Sequence, residues 1–375
     1  MEQNTLYNET LNDIKERKHN LEEGKINCIP FPIESLTDKF PGFQKGSYTI
    51  VTGASKAGKT QISNFLILYN TILFAYDHRD VKVKFLYFPL EEEKDIVVKR
   101  FICYLLFTKY NKRVGYLDLI SANSKHKCSD EIISIIESKE MKDIIDFFEQ
   151  CVLFQKANTA WNIKMAIDEY AKTHGHLGDA EQFEKRPYIA DDPEEYVFVY
   201  IDHINLLTQS KWYSWNDEGK QESSKEGNMI ESISNLSKYL VNEAKNRYNY
   251  VVVVLQQQVD SETNSLEAAR AGNILATKAG LKDCKSTGQD VTLLLGISNP
   301  GSNNTVNVWR DYDMEKFHRR YFRVFEIILN RFGEGELKIP LFFDGKCNYY
   351  QPLPAANDEE RLKKVYNYIE KISKE

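Results

Sequence analysis

Short apolar runs alternate with stretches in which apolar residues recur every three or four positions. The runs SYTIVT (47–52), VKFLYF (83–88), YVFVYI (196–201) and VVVVL (251–255) are rich in β-branched and aromatic residues. They are too short for helices, which predicts buried strands. Further strands are predicted over 151–154, 291–296, 323–330 (RVFEIILN) and 337–343. Helical periodicity covers 59–75, the segment after Glu91, 129–150, 159–172, 228–246 and 357–373. Strands alternating with helices predict an α/β fold, a mostly parallel twisted sheet with helices on both faces.

The segments outside this alternation divide the chain. Residues 5–23 read as a helix with one thin apolar stripe, Tyr7, Leu11, Ile14 and Leu21, closed by Gly24. So narrow a stripe forms no core of its own; it packs on its own domain or on a neighbouring subunit. Residues 173–195, acidic and punctuated by Gly and Pro, predict a surface insertion. Residues 209–227 read as a polar loop and 260–288 as a long polar connection. The expected organisation is a helical arm (1–24), one α/β domain (25–355) and a C-terminal helix (356–375).

Composition narrows the function classes. Hydrophobic residues make up 42% of the 375, enough for a packed core, yet no run is long and apolar enough to span a membrane. The polar N-terminus has no apolar signal region, which predicts a cytoplasmic protein. A bias toward Lys, Asn, Ile and Tyr fits an AT-rich genome such as a phage's, expressed in a host cytoplasm. Cys28, Cys103, Cys128, Cys151, Cys284 and Cys347 form no C-x-x-C pair, and His174 and His176 have no ligand pattern around them, so neither a zinc site nor a disulfide framework is expected. The net charge of −6 argues against a basic nucleic-acid coat, though a ring can confine positive charge to its channel.

The clearest chemistry is Gly53-Ala54-Ser55-Lys56-Ala57-Gly58-Lys59-Thr60, a complete G-x-x-x-x-G-K-[ST] between a predicted strand and a predicted helix. Its glycines let backbone N–H groups curl around phosphates, and the helix start adds partial positive charge. Nucleotide binding is expected over Gly53–Thr60 and Gln61, with Lys59 reaching the β- and γ-phosphates of ATP and Thr60 ligating Mg²⁺. Asp202, at the tip of an apolar strand, suits an outer-sphere partner of that Mg²⁺. An acid after the 83–88 strand could activate water, but spacing does not choose among Glu91, Glu92 and Glu93.

In this order the pieces resemble the C-terminal ATPase domain of DnaB-type replicative helicases, a RecA-like P-loop NTPase, over about residues 25–353. IPFPIESLTDKFPGFQKGSYTIVTGASKAGKT is similar to that family's lead-in and Walker A motif. FPLEEE is similar to its strand ending in Ser-Leu-Glu-Met, which implies Glu91 as the catalytic acid. VFVYIDHINLL resembles its Walker B segment, with His203 where Tyr is usual. VVVVLQQQVD resembles the strand ending in Ser-Gln-Leu and implies Gln257 as the γ-phosphate sensor. LKDCKSTGQDVTLLL resembles the DNA-binding loop, which implies DNA contacts from Lys282, Asp283 and Lys285, with Gln289 and Asp290 matching. EIILNRFGEGE is similar to the strand carrying the basic residues that act on a neighbour, which implies Arg331 as arginine finger.

Two departures stand out. Leu329 replaces a second basic residue, and the family's N-terminal primase-binding domain has no counterpart in the sequence, leaving primase or loader contacts to a separate chain. The resemblance implies a homo-hexameric, ATP-driven helicase that moves 5′ to 3′ on single-stranded DNA during replication. The rival readings are a filament-forming RecA-like recombinase and a non-motor DNA-loading ATPase.

Overall fold

The computed structural model describes residues 6–374 apart from Asp38, 180–185, 210, 212, 216–220, 224–227, 260–274, 283–286, 289–290, 303, 305, 334 and 336. Its centre is a sheet of nine strands among the described residues. In chain order these are β1 (Tyr48–Gly53), β2 (Val83–Pro89), β3 (Val152–Phe154), β4 (Tyr196–Asp202), β5 (Val251–Gln257), β6 (Leu293–Ser298), β7 (Phe322–Asn330), β8 (Lys338–Asp344) and β9 (Tyr349–Pro352). Across the sheet the order is β9-β8-β7-β6-β1-β5-β4-β2-β3. The run from β6 to β3 is parallel, and β7, β8 and β9 extend it antiparallel. The mostly parallel sheet expected from the sequence is present.

Alternation along each strand explains why both faces are covered. In β5, Val251, Val253 and Leu255 face one core while Val252 and Val254 face the other. The first core receives a helix that begins over Lys59–Ser63 (α2), passes through the wider π-helical turns of Asn64–Tyr69 and resumes over Asn70–Asp77. It also receives α3 (Lys94–Tyr110) and α4 (Lys139–Cys151). The second core receives α5 (Ala160–Thr173) and α6 (Met229–Tyr239). A fully buried Ile, Val or Phe on these faces contributes roughly 1.5–3 kcal/mol, so a polar residue inside one of these runs calls for a reason. A third cluster joins the C-terminal helix α7 (Glu359–Ile372) to β7 through Leu362, Ile369, Ile372, Phe317 and Phe322.

Several local expectations are corrected. The helix expected over 129–150 is two, Asp130–Ile136 and α4, because Ser129 and Ser138 each cap a new start, accepting from the backbone N–H of Ile132 and Met141. The insertion at 173–195 carries a hairpin, Gly175–Leu177 with Tyr188–Ala190, and the polar loop at 209–227 carries another, Tyr213–Trp215 with Gln221–Ser223. No described helix is long and apolar enough to cross a membrane. The N-terminal helix α1 (Leu6–Glu22) buries no residue: Leu6, Tyr7, Ile14 and Leu21 are 80, 71, 57 and 65% exposed. Leu11, the remaining residue of the stripe, is half-buried, so the described residues leave most of the stripe uncovered. Near its C-terminal end, Asn27 donates to the Arg17 carbonyl and Arg17 donates to Gln44.

Candidate active site

The P-loop lies where β1 gives way to α2, at the carboxyl edge of the parallel strands. Gly53 passes so close to β6 that a Cβ there would sit 2.4 Å from the Ile297 carbonyl oxygen. Gly58, at φ +104°, takes a backbone conformation that L side chains rarely adopt and starts the helix at Lys59. The first-turn amides of a helix have no intrahelical acceptor. Those of α2 border a cleft of about 400 Å³ lined by Ser55, Lys56, Gly58, Lys59, Thr60 and Gln61, with Glu91, Glu92, His203 and Gln257 across from them. Lys59 rests with its ammonium donating to the Ala54 carbonyl at 3.2 Å. Among the expected nucleotide-binding residues, Gly53, Ala54 and Ala57 lie outside the cleft lining, Ala57 buried under the loop.

Asp202 ends β4 almost wholly buried, and Thr60 Oγ1 donates to its Oδ1 at 3.2 Å. Burial first, and then the Glu91 charge, push its carboxyl up to about 7, while the Thr60 bond and the Lys59 ammonium act the other way. A hydroxyl and a carboxylate so paired are hard oxygen donors of the kind Mg²⁺ takes, and a bound dication would return Asp202 to its ionised form. The next peptide, Asp202–His203, is cis.

The three consecutive acids have different surroundings. Glu91 is exposed and borders the cleft, its Oε2 3.7 Å from His203 Nε2. Burial, followed by the nearby Lys59 ammonium, lowers the His203 pKa and favours the neutral ring. Glu92 pairs with Arg100 at 2.8 Å, and burial raises its pKa. Glu93 is the N-cap position of α3 and lies outside the cleft lining.

Gln257 reaches the cleft because it ends β5 in register with Gly53. Its flanking glutamines turn to the interior and tie down the following segment. Gln256 Nε2 donates to the Lys282 carbonyl at 2.7 Å, and Gln258 Nε2 donates to Thr52 Oγ1 and to the Thr277 carbonyl, each at 2.9 Å. The Lys282 N–H donates to the Gln257 carbonyl at 2.8 Å, so the expected DNA loop starts one hydrogen bond from the cleft. Asp283, Lys285, Gln289 and Asp290 lie outside the described residues.

Arg331 is not in the cleft. β7 runs antiparallel to its neighbours, with Val324 paired to Ser298 near the P-loop and Asn330 to Leu293 at the far edge. Residues 323 to 331 then span about 26 Å at roughly 3.3 Å per residue. Leu329 is half-buried and packs against the second core.

Four side chains around the P-loop were absent from the sequence expectations. Arg100 anchors Glu92, Asn205 Oδ1 accepts from the Gln257 N–H at 2.8 Å, Tyr350 donates to the Gly58 carbonyl at 3.3 Å, and Arg323 donates to the Ala57 carbonyl at 3.0 Å. Arg323 was detectable in principle, as a charge within the apolar run RVFEIILN. The others are brought in by tertiary packing from segments with no local signature.

No protein-family model matches the chain, and no curated protein matches it. Solved structures do. A DnaB-like replicative helicase, studied with its interactions with primase, superposes with a TM-score of 0.61 at 14% identity, covering 93% of this chain and 68% of that one. A second solved structure, of an ATPase domain on its own, superposes with a TM-score of 0.61 at 15% identity, covering 92% of this chain and 98% of that one. The fold is therefore the RecA-like α/β fold of helicase ATPase domains.

Proposed function

We propose that this chain is an ATP-hydrolysing, ring-forming DNA helicase subunit of the DnaB type. The observation that carries this reading is the gathering of Lys59, Thr60, Glu91 and Gln257 around one cleft at the carboxyl edge of the sheet. ATP lies with its phosphates on the amides of 58–61 and the Lys59 ammonium. Thr60, backed by Asp202, holds Mg²⁺, which supplies charge neutralisation at the phosphates. Glu91 orients the attacking water and accepts its proton. Gln257 meets the γ-phosphate. Arg331, at the far edge of the sheet, serves the next subunit's cleft, so activity requires assembly, a homo-hexamer in this reading. The exposed α1 stripe supplies a docking surface for that neighbour. The helix belongs to the arm 1–24, beside the ATPase domain 25–355 and the terminal helix 356–375.

Work is transmitted through Gln257. Its carbonyl accepts from Lys282, and Gln256 and Asn205 both donate to the Lys282 carbonyl. A shift at the γ-phosphate therefore moves the root of the loop carrying Lys282, Asp283 and Lys285, which takes single-stranded DNA in the ring's channel, with 5′-to-3′ translocation. A separate primase or loader completes the replication role in the cytoplasm. Leu329, apolar where a basic residue would give a second contact to the neighbour's phosphates, favours a second reading, a DNA-loading ATPase without motor activity.

DNA binding by the loop is tested by the double substitution Lys282→Ala, Lys285→Ala, titrated with labelled single-stranded oligonucleotides at several salt concentrations. Each phosphate contact adds about 0.7 to the slope of log affinity against log salt on single strands. The double variant is expected to bind all sequences more weakly with a flatter slope, and to lose DNA stimulation of ATPase while keeping nucleotide binding. An unchanged slope removes this loop from the DNA path.

A further inference from the structure

Arg323, near the start of β7, is a buried cation with no anion beside it among the described residues. It is 6% exposed. Its Nε donates to the Ala57 carbonyl at 3.0 Å, and its Nη1 donates to the carbonyls of Phe322 at 2.7 Å and Arg320 at 3.1 Å. The guanidinium carbon lies 4.6 Å from the centre of the Phe343 ring. These acceptors are neutral, and among the described residues no carboxylate pairs with Arg323 and Nη2 has no acceptor. Burial lowers its pKa only to about 10, so it carries its charge at neutral pH. Buried charges are ordinarily paired, because desolvation is otherwise uncompensated. The strand around it is apolar, with Phe322, Val324 and Phe325 as neighbours, and an apolar residue would suit the packing better.

The position of Arg323 indicates which anion it would meet. A second cavity, of about 600 Å³, adjoins the P-loop cleft, and the two share Gln61, Arg100, Arg323 and Phe343. Arg323 Nε is 3.8 Å from where a Cβ on Gly58 would lie. A nucleotide with its terminal phosphates on the P-loop amides must cross this junction if the rest of it is to occupy the larger cavity. We propose that Arg323 is an intrasubunit phosphate ligand, its Nη2 donating to the diphosphate portion of the nucleotide where the chain of phosphates leaves the P-loop. The Nε bond to Ala57 holds the guanidinium in place for that contact. This rests on the reading of the cleft as a nucleotide site.

The experiment measures binding of a fluorescent ADP analogue, competition by pyrophosphate and by adenosine, and thermal melting of the nucleotide-free protein, on the full chain. Arg323→Met keeps the bulk and removes the charge. It is expected to weaken ADP and pyrophosphate about 10- to 100-fold, the range for a lost charge-assisted hydrogen bond. It leaves adenosine competition unchanged, and the nucleotide-free protein melts no lower than the wild type, since an unpaired buried charge has been removed. Undiminished ADP affinity, or a lowered melting point with ADP and adenosine weakened alike, overturns the assignment in favour of simple bracing of the loop. Should Arg323→Met not fold, Arg323→Lys and Arg323→Gln decide together. Lysine keeps the charge but cannot hold Ala57 and reach the anion together, so Arg323→Gln is measured beside it: ADP bound more weakly by the neutral Gln variant than by the Lys variant supports the proposal, and wild-type ADP affinity in the Gln variant overturns it. Wild-type protein that binds no ADP overturns the nucleotide site itself, whereas binding that persists in Arg323→Met overturns only the role of Arg323.

Discussion

Glu91→Gln is expected to leave ATP bound and to slow its hydrolysis by about 10²- to 10⁴-fold, the range for loss of a positioned general base. The change is nearly isosteric and removes the negative charge together with the ability to accept a proton. Glu91 reaches the cleft from just beyond the tip of β2, with His203 as its near neighbour. The adjacent acids make the internal control. Glu92→Gln breaks the pair with Arg100 and should act mainly through lowered stability, because a half-buried guanidinium loses its partner. Glu93→Gln alters an exposed N-cap position outside the cleft and should change little. Phosphate release and nucleotide binding, measured on the three variants, separate these outcomes. Equal loss of hydrolysis in all three would mean that none of them is the base.

Arg331→Ala is expected to cost about 10³-fold in ATPase activity, as for other arginine fingers, while single-subunit folding and nucleotide binding persist. Arg331 follows the far end of β7, about 26 Å along the strand from the P-loop end, too far for a side chain to reach its own subunit's phosphates. Mixing Arg331→Ala with Glu91→Gln protein should therefore restore turnover. In a mixed ring, some interfaces join an intact Glu91 from one subunit to an intact Arg331 from the next. Turnover that never exceeds the sum of the two variants, at any ratio, would confine Arg331 to its own subunit or to packing.

The sheet was legible because its central strands are buried on both faces, and burial writes itself as unbroken runs such as VVVVL and YVFVYI. The phosphate loop was legible because its function needs particular residue types at fixed spacing in a local strand–turn–helix. The cleft's remaining walls were less so. Which of Glu91, Glu92 and Glu93 faces the cleft depends on where β2 ends relative to Asp202, a tertiary fact that chemistry along the chain does not carry; the family resemblance pointed to Glu91, whereas the cleft is lined by both Glu91 and Glu92, the first exposed and the second paired with Arg100. Arg323 and Tyr350 reach the P-loop from antiparallel strands 266 and 292 residues later, beyond any local pattern. The edge strand β9 is short and polar on one side, so it gave no apolar run. The α1 stripe was readable as a stripe, but its partner was not, because among the described residues only Leu11 of the stripe is even half-covered.

ATP-dependent displacement of an oligonucleotide from a forked duplex tests the central claim most directly. The account predicts displacement by the wild-type chain on forks with a free 5′ tail, dependent on hydrolysable ATP and Mg²⁺ and abolished by Glu91→Gln. ATP hydrolysis that is stimulated by single-stranded DNA, with no strand displaced on any fork, would contradict it and leave a DNA-loading ATPase in its place.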